Sequence, residues 1–191
     1  MAANVLPRPA ASVLVVIDQP LEVLMVRRPP GGMFGDLWVF PGGVVDVGDG
    51  ALTDTGDDGA CRAAGVRELY EETAVKLLPG DIRFVSRWVT PPGLPRRYDT
   101  RFYLGVLDER PEVTIAHGEV MEAAFVAPAT ALAAHQAQHW QMVLPTLAHI
   151  RWLARYGSGR DAHRSAGAAR LESIAPSIRA DGSIVEVDLP L

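Results

Sequence analysis

A single cysteine, Cys61, is all the thiol chemistry this chain carries, which excludes an internal disulfide and a cysteine-built zinc site. About two helical turns before the acidic stretch described below, it reads as a small packed side chain rather than a nucleophile. No stretch approaches the roughly 18 apolar residues of a membrane span, and Met1 to Ser12 lacks the basic start and apolar run of a secretion signal. A cytoplasmic protein that engages no membrane is therefore expected. Basic residues are not in excess either. With 18 Lys and Arg against 23 Asp and Glu the formal net charge is −5, the wrong sign for a partner that is a nucleic acid polymer. Aromatics make up only 7%, yet 48% of the 191 residues are hydrophobic, enough for one globular core. No internal repeat is evident.

Short aliphatic runs at Ser12 to Ile17 and Glu22 to Val26, parted by Asp18-Gln19-Pro20, read as a hairpin. Pro29 to Gly35 must be a loop, leading to a short strand at Trp38 to Phe40. Further strands are expected at Ile82 to Thr90, opening within Arg96 to Leu104, at Val113 to Ile115 and at Val120 to Val126, with the stiff loop Pro91 to Pro95 between the first two. After Pro128 the texture turns helical: Ala129 to His135, then Trp140 to Tyr156 with Pro145 in its first turns or at a break. His135 and His139 have i, i+4 spacing, but no Glu follows the first, so packing accounts for them and for Trp140, His149 and Trp152.

The chemistry concentrates in Arg67-Glu68-Leu69-Tyr70-Glu71-Glu72-Thr73, preceded by Phe40-Pro41-Gly42-Gly43. A helix over residues 58 to 73 places Glu68, Glu71 and Glu72 on one face, with Ala63, Val66, Leu69, Tyr70 and Thr73 opposite and packed on a core. Three carboxylates on one face repel by a few tenths of a kcal/mol per pair, a penalty that a cation removes. Hard divalent ions take such oxygen ligands, and Mg2+ keeps open positions for water and phosphate. Glycine without a Cβ lets the backbone turn and approach a ligand closely.

These residues resemble the Nudix box, the loop-helix-loop signature of the Nudix hydrolases. Gly43 matches its leading glycine, Arg67, Glu68, Leu69, Glu71 and Glu72 match its core, and Asp49 stands where the family usually has Glu. Between Asp49 and Arg67 lie seventeen residues instead of seven, a polar, Gly-rich insertion of ten, and Ala74 replaces the closing glycine. The resemblance implies an α/β fold, the Nudix α/β/α sandwich with a mixed β-sheet. Residues 1–156 would form the domain (core 12–130, packed helices 131–156), 157–170 a linker, and 171–191 an extension forming a hairpin about Asp181-Gly182 that covers a sheet edge or meets a second subunit in a homodimer.

It also implies a mechanism, metal-assisted hydrolysis of a diphosphate linkage. Mg2+ or Mn2+ would be held by Glu68, Glu71, Glu72 and the Gly42 carbonyl, with Arg67 orienting the carboxylates. A base must take the water's proton: by position Glu119, with Glu122 behind it, or Glu68. Arg28 after the second strand, and Arg96, Arg97 and Tyr98 in Arg-Arg-Tyr-Asp-Thr, would bind an anionic, ring-bearing small molecule. That segment looks similar to the peroxisomal coenzyme A diphosphatase branch, which also tolerates an insertion in its box, although a further coenzyme A signature upstream is absent and Asp188 to Leu191 is no peroxisomal address. Coenzyme A or an acyl ester of it is the expected substrate. ADP-ribose or another nucleotide derivative, a silent binding domain, and an isoprenyl diphosphate isomerase using a cleft cysteine are the competing expectations.

Overall fold

The computed structural model describes residues 5–31, 34–52, 58–166, 172–177 and 189. Along the chain run β1 (Arg8–Ile17), β2 (Glu22–Arg27), β3 (Trp38–Val39), β4 (Gly42–Val44), a 3₁₀ turn (Val47–Asp49), α1 (Gly59–Thr73), β5 (Ile82–Val89), β6 (Tyr98–Leu107), β7 (Glu122–Val126), α2 (Pro128–Gln136), α3 (Leu144–Leu153), α4 (Gly159–Ala166) and β8 (Ser173–Ile174).

The strands join one mixed sheet in the order β3-β2-β1-β6-β5-β8, with β4 also on β1 and β7 also on β2. β1 and β6 are parallel from Arg8↔Tyr98 to Ile17↔Leu107, and β5 and β8 are parallel; the remaining pairs are antiparallel. Period-2 alternation splits the long central strands between two cores. Ala11, Val13, Val15 and Tyr103 face α1, whereas Leu14, Val16, Phe102 and Leu104 face the opposite layer, where Ile150, Trp152 and Leu153 of α3 and Ala162 of α4 are buried. Helices therefore cover both faces, the expected sandwich.

α1 lies close on β1 because its inner face is small. Ala60, Ala64 and Gly65 are buried beside Leu69 and Thr73, and a Cβ on Gly65 would meet Val13 at 3.0 Å. This rotates the helix away from the sequence reading: Tyr70 is 49% exposed rather than packed, and Glu72 is 3% exposed rather than raised into solvent. Truncating the fully buried Leu69 to Ala would cost about 2–5 kcal/mol.

Other expectations need correction. Residues 113–115 form no strand; Thr114 and Ala116 instead donate backbone hydrogen bonds to Thr73 O (3.0 Å) and Glu72 O (3.1 Å), satisfying carbonyls at the end of α1. The expected strand from Val120 begins at Glu122, and the expected helix from Trp140 begins at Leu144, with Pro145 in its first turn where a missing N–H costs nothing. Gly159–Ala166, placed in a linker by its glycines, is helical: Ser158 Oγ accepts from Asp161 N (3.1 Å), and Arg160 binds Asp18 (2.6 Å). Ser173–Ile174 pairs in parallel with β5, while Asp181-Gly182, the turn of the expected hairpin, lies outside the described residues. Trp140 stacks on Trp38 at 3.8 Å and Trp152 is buried, as the packing reading expects.

Candidate active site

The glycine bend is set on the central strand. Gly42 and Gly43 pair with Ser12 and Ala11 of β1, and the bend is pinned by Ser12 Oγ donating to Pro41 O (3.0 Å) and Val13 N donating to the same oxygen (2.9 Å). At Gly42 no side chain can replace the hydrogen, and at Gly43 one would have to displace the Glu68 carboxylate. A Cβ on Gly42 would lie 2.3 Å from Ala11 O, and one on Gly43 2.3 Å from the Glu68 carboxyl carbon, so α1 brings its carboxylates directly against bare backbone.

Arg67 organises the acidic helix. Its guanidinium donates to both Asp49 oxygens (2.9 and 3.0 Å), to Glu68 Oε1 (2.9 Å), to Glu71 Oε2 (2.8 Å) and to Val44 O (3.1 Å). The fork matches Asp49 bidentately, which makes this the strongest of the contacts. Hydrogen bonding from Arg67 holds the Asp49 carboxyl below its usual range, and the same bond, first among several carboxylates, raises the guanidinium. Asp49 thus has a definite part: it anchors Arg67 from across the insertion.

Glu72 stands apart from this cluster. Gly42 N donates to its Oε2 (3.0 Å) and Arg28 lies 3.5 Å from Oε1. Burial pushes its carboxyl up to about 7 against the pull of Gly42 and Arg28, while the Glu68 and Glu119 charges add to the rise. Burial likewise raises Glu68, opposed by Arg67.

These carboxylates open onto one cleft of about 880 Å³, lined by Arg28, Gly42, Gly43, Asp46, Arg67, Glu68, Glu71, Glu72 and Glu119 and, from the loop after β5 and the start of β6, by Arg96 and Tyr98. The structure brings together every expected site residue except Arg97, whose Nε and Nη1 donate to the carbonyls of Thr90 (2.9 Å) and Val5 (2.8 Å) and which does not line the cleft. Arg97 thereby ties the end of the loop at Arg96 and the start of β6 at Tyr98 to Thr90 and Val5. Glu122, the second choice for base, pairs with Arg27 at 3.2 Å and also lies off the cleft. Cys61 is buried beside Arg101, away from the cleft, its thiol raised by burial, so the isomerase expectation loses its cysteine.

The donor set suits a hard divalent cation: carboxylate oxygens from α1 and Glu119 share the cleft with a side-chain-free bend. Among the described residues no three of these carboxylates are gathered closely enough to grip an ion as they stand, because Arg67 draws Glu68 and Glu71 to itself. Binding would turn Glu68 and Glu71 from Arg67 toward the ion, joined by Glu72.

Residues without a sequence signal complete the cleft. Trp88, Phe102, Leu94, Pro145 and Pro176 contribute an apolar wall. They come from five separate places in the chain, and only the fold assembles them.

A helix-covered mixed sheet with an acidic helix laid over a glycine bend on its central strand defines the class as an α/β sandwich. The NUDIX domain family matches residues 6–144, and the chain belongs to that family. It is 31% identical to a Caenorhabditis elegans protein described as nudix hydrolase 7 over 157 residues, 63% of this chain and 52% of that protein, so it spans about half the relative's length. A NUDIX hydrolase from Alicyclobacillus acidocaldarius superposes with a TM-score of 0.74 at 24% identity, covering 85% of this chain and 97% of that one. The NUDIX domain of Shewanella oneidensis NrtR, solved with ADP ribose, gives 0.57 at 21%, covering 80% and 89%. These two likenesses establish the fold. Nudix hydrolases generally use divalent metals such as Mg2+ or Mn2+.

Proposed function

We propose that the chain hydrolyses the diphosphate linkage of coenzyme A or an acyl-coenzyme A in the presence of Mg2+ or Mn2+. The observation that carries this reading is one cleft in which Glu68, Glu71, Glu72 and Glu119 stand beside the cations Arg28 and Arg96. A diphosphate needs both, carboxylates to hold the metal and guanidinium groups to take its oxygens. Held by Glu68, Glu71, Glu72 and the Gly42 carbonyl, a divalent ion would neutralise phosphoryl charge and lower the pKa of a bound water. Glu119, exposed at the cleft, accepts the proton of the attacking water; the bridging P–O bond breaks and its electron pair leaves with the departing phosphate. Arg96 and Tyr98 hold the substrate's anionic, ring-bearing part. The Arg-Arg-Tyr-Asp-Thr segment and the insertion after Asp49 favour the coenzyme A branch.

A second reading, a binding domain without turnover, draws on the hold of Arg67 upon Glu68 and Glu71. Purified protein with Mg2+ and a panel of coenzyme A, acyl-coenzyme A, ADP-ribose, NADH and dinucleoside polyphosphates separates the two. Release of 4′-phosphopantetheine is the expected result, and Glu72→Gln should lower kcat by roughly a hundredfold or more through lost charge stabilisation. No turnover of any panel member supports the silent domain, and hydrolysis confined to ADP-ribose replaces the coenzyme A assignment.

A further inference from the structure

The carboxylates occupy one part of the cleft; its other flank has a different chemistry. Trp88, Pro91, Leu94, Leu144, Pro145 and Pro176 line it together with the hydroxyls of Thr90 and Thr146, and neither a side-chain amide nor a lysine lines any part of the cleft among the described residues. Nucleosides are normally held by a carboxylate or amide on the ribose hydroxyls and base edge. Apart from those two hydroxyls, this flank offers aliphatic and aromatic surface instead.

It is also built before any ligand arrives. Trp88 Nε1–H donates to Ser86 Oγ (3.1 Å), Ser86 Oγ–H donates to His149 Nε2 (2.8 Å), and His149 Nδ1–H donates to Pro145 O (2.6 Å), the carbonyl acceptor fixing the tautomer. The same imidazole packs on Phe102, ring centroids 4.3 Å apart. One fully buried histidine thus ties together three residues of the wall that come from β5, β6 and α3. On the outer side, β8 adds to β5 in parallel, Ile174 opposite Trp88, and sets the buried Pro176 two residues on into the cleft. A preformed apolar pocket binds without an ordering cost.

We propose that this flank is a subsite for the hydrocarbon tail of an acyl-coenzyme A, with Leu94 and Pro176 determining which chain lengths are accepted. The proposal rests on the coenzyme A reading above and adds where the acyl group lies and which residues measure it. Each methylene buried there should improve kcat/KM by up to roughly fourfold until the subsite is full.

The test compares kcat/KM for coenzyme A and its acetyl, butyryl, hexanoyl and octanoyl thioesters, with ADP-ribose alongside, in the full chain and in Leu94→Asp and Pro176→Asp. From acetyl to octanoyl the unaltered protein should gain roughly tenfold or more. In either variant, folded by circular dichroism, that gain should shrink to about twofold or less, because the chain now meets a carboxylate. Should Pro176→Asp fail to fold, Leu94→Asp carries the comparison, being a half-buried loop position. Equal rates across chain lengths overturn the subsite while leaving the coenzyme A reading intact, as does an unchanged acyl preference in a folded variant. Hydrolysis of ADP-ribose with none of any coenzyme A compound overturns both.

Discussion

Ala74 closes α1 in the left-handed region at φ 60, donating to Tyr70 O at 2.8 Å. It stands where the Nudix signature has glycine, and a Cβ there is strained by about 1–2 kcal/mol. Ala74→Gly should stabilise the protein by about 0.5–1 kcal/mol, the relieved strain less the extra freedom of glycine in the unfolded chain, measured by urea unfolding. At this scale the sequence was legible where residue type alone decides: three glutamates, an arginine and two glycines could be named before the fold was known. It misjudged Glu72 and Tyr70 because α1 packs through Ala60, Ala64 and Gly65. Small residues carry a weak hydrophobic signal, so the pattern of large ones pointed to the wrong rotation. It misjudged Arg97 because a side chain's commitment to distant carbonyls, here Val5 and Thr90, leaves no mark in the local sequence.

Among the elements, the 3₁₀ turn Val47–Asp49 supplies a counterweight to α1. Arg67 divides its donors between Asp49 and the glutamates Glu68 and Glu71. Asp49→Asn removes the bidentate charge, and the guanidinium should then turn more fully to the glutamates and compete with a metal ion. The Mg2+ concentration for half-maximal turnover should rise severalfold; an unchanged Mg2+ requirement would deny Asp49 this part. Elements were legible where punctuation was strong, as in the strands bounded by proline and glycine. α4 was missed although Ser158 and Asp161 have capping-box spacing, because the neighbouring Gly157, Gly159 and Gly167 read as linker. Residues 113–115 look like a strand by composition, yet their neighbours' hydrogen bonds go to the end of α1, a partner that no periodicity reveals.

For the whole molecule, two buried groups act oppositely in acid. Burial lowers His149 to about 4, opposed by its bond to Pro145. Between its ordinary value near 6.5 and 4 the unfolded chain takes up a proton that the native state refuses, so stability falls as pH falls, by up to about 3 kcal/mol. Glu72, raised to about 7, does the reverse: between 7 and its ordinary value the native state binds the proton first, and stability rises as pH falls. The unaltered protein should change little between pH 7 and 4.5 from these two groups, whereas Glu72→Gln should lose stability steadily across that range. Urea unfolding in metal-free buffer checks this, and parallel curves for the two proteins would contradict it. The sandwich itself was legible through the resemblance that the acidic helix and the glycine pair carry, and the strands and helices read from the sequence agree with it. The cleft's apolar wall was not, since five distant stretches build it.

The Asp49 to Arg67 bridge closes the base of the stretch between them, and that has a practical meaning. Doubling the length of a tethered loop costs only about 0.6 kcal/mol, and here the residues on either side of it are joined by a charged clasp. The Arg67 contacts therefore do not depend on the length of chain between residues 50 and 58, and a change of length there should leave them in place.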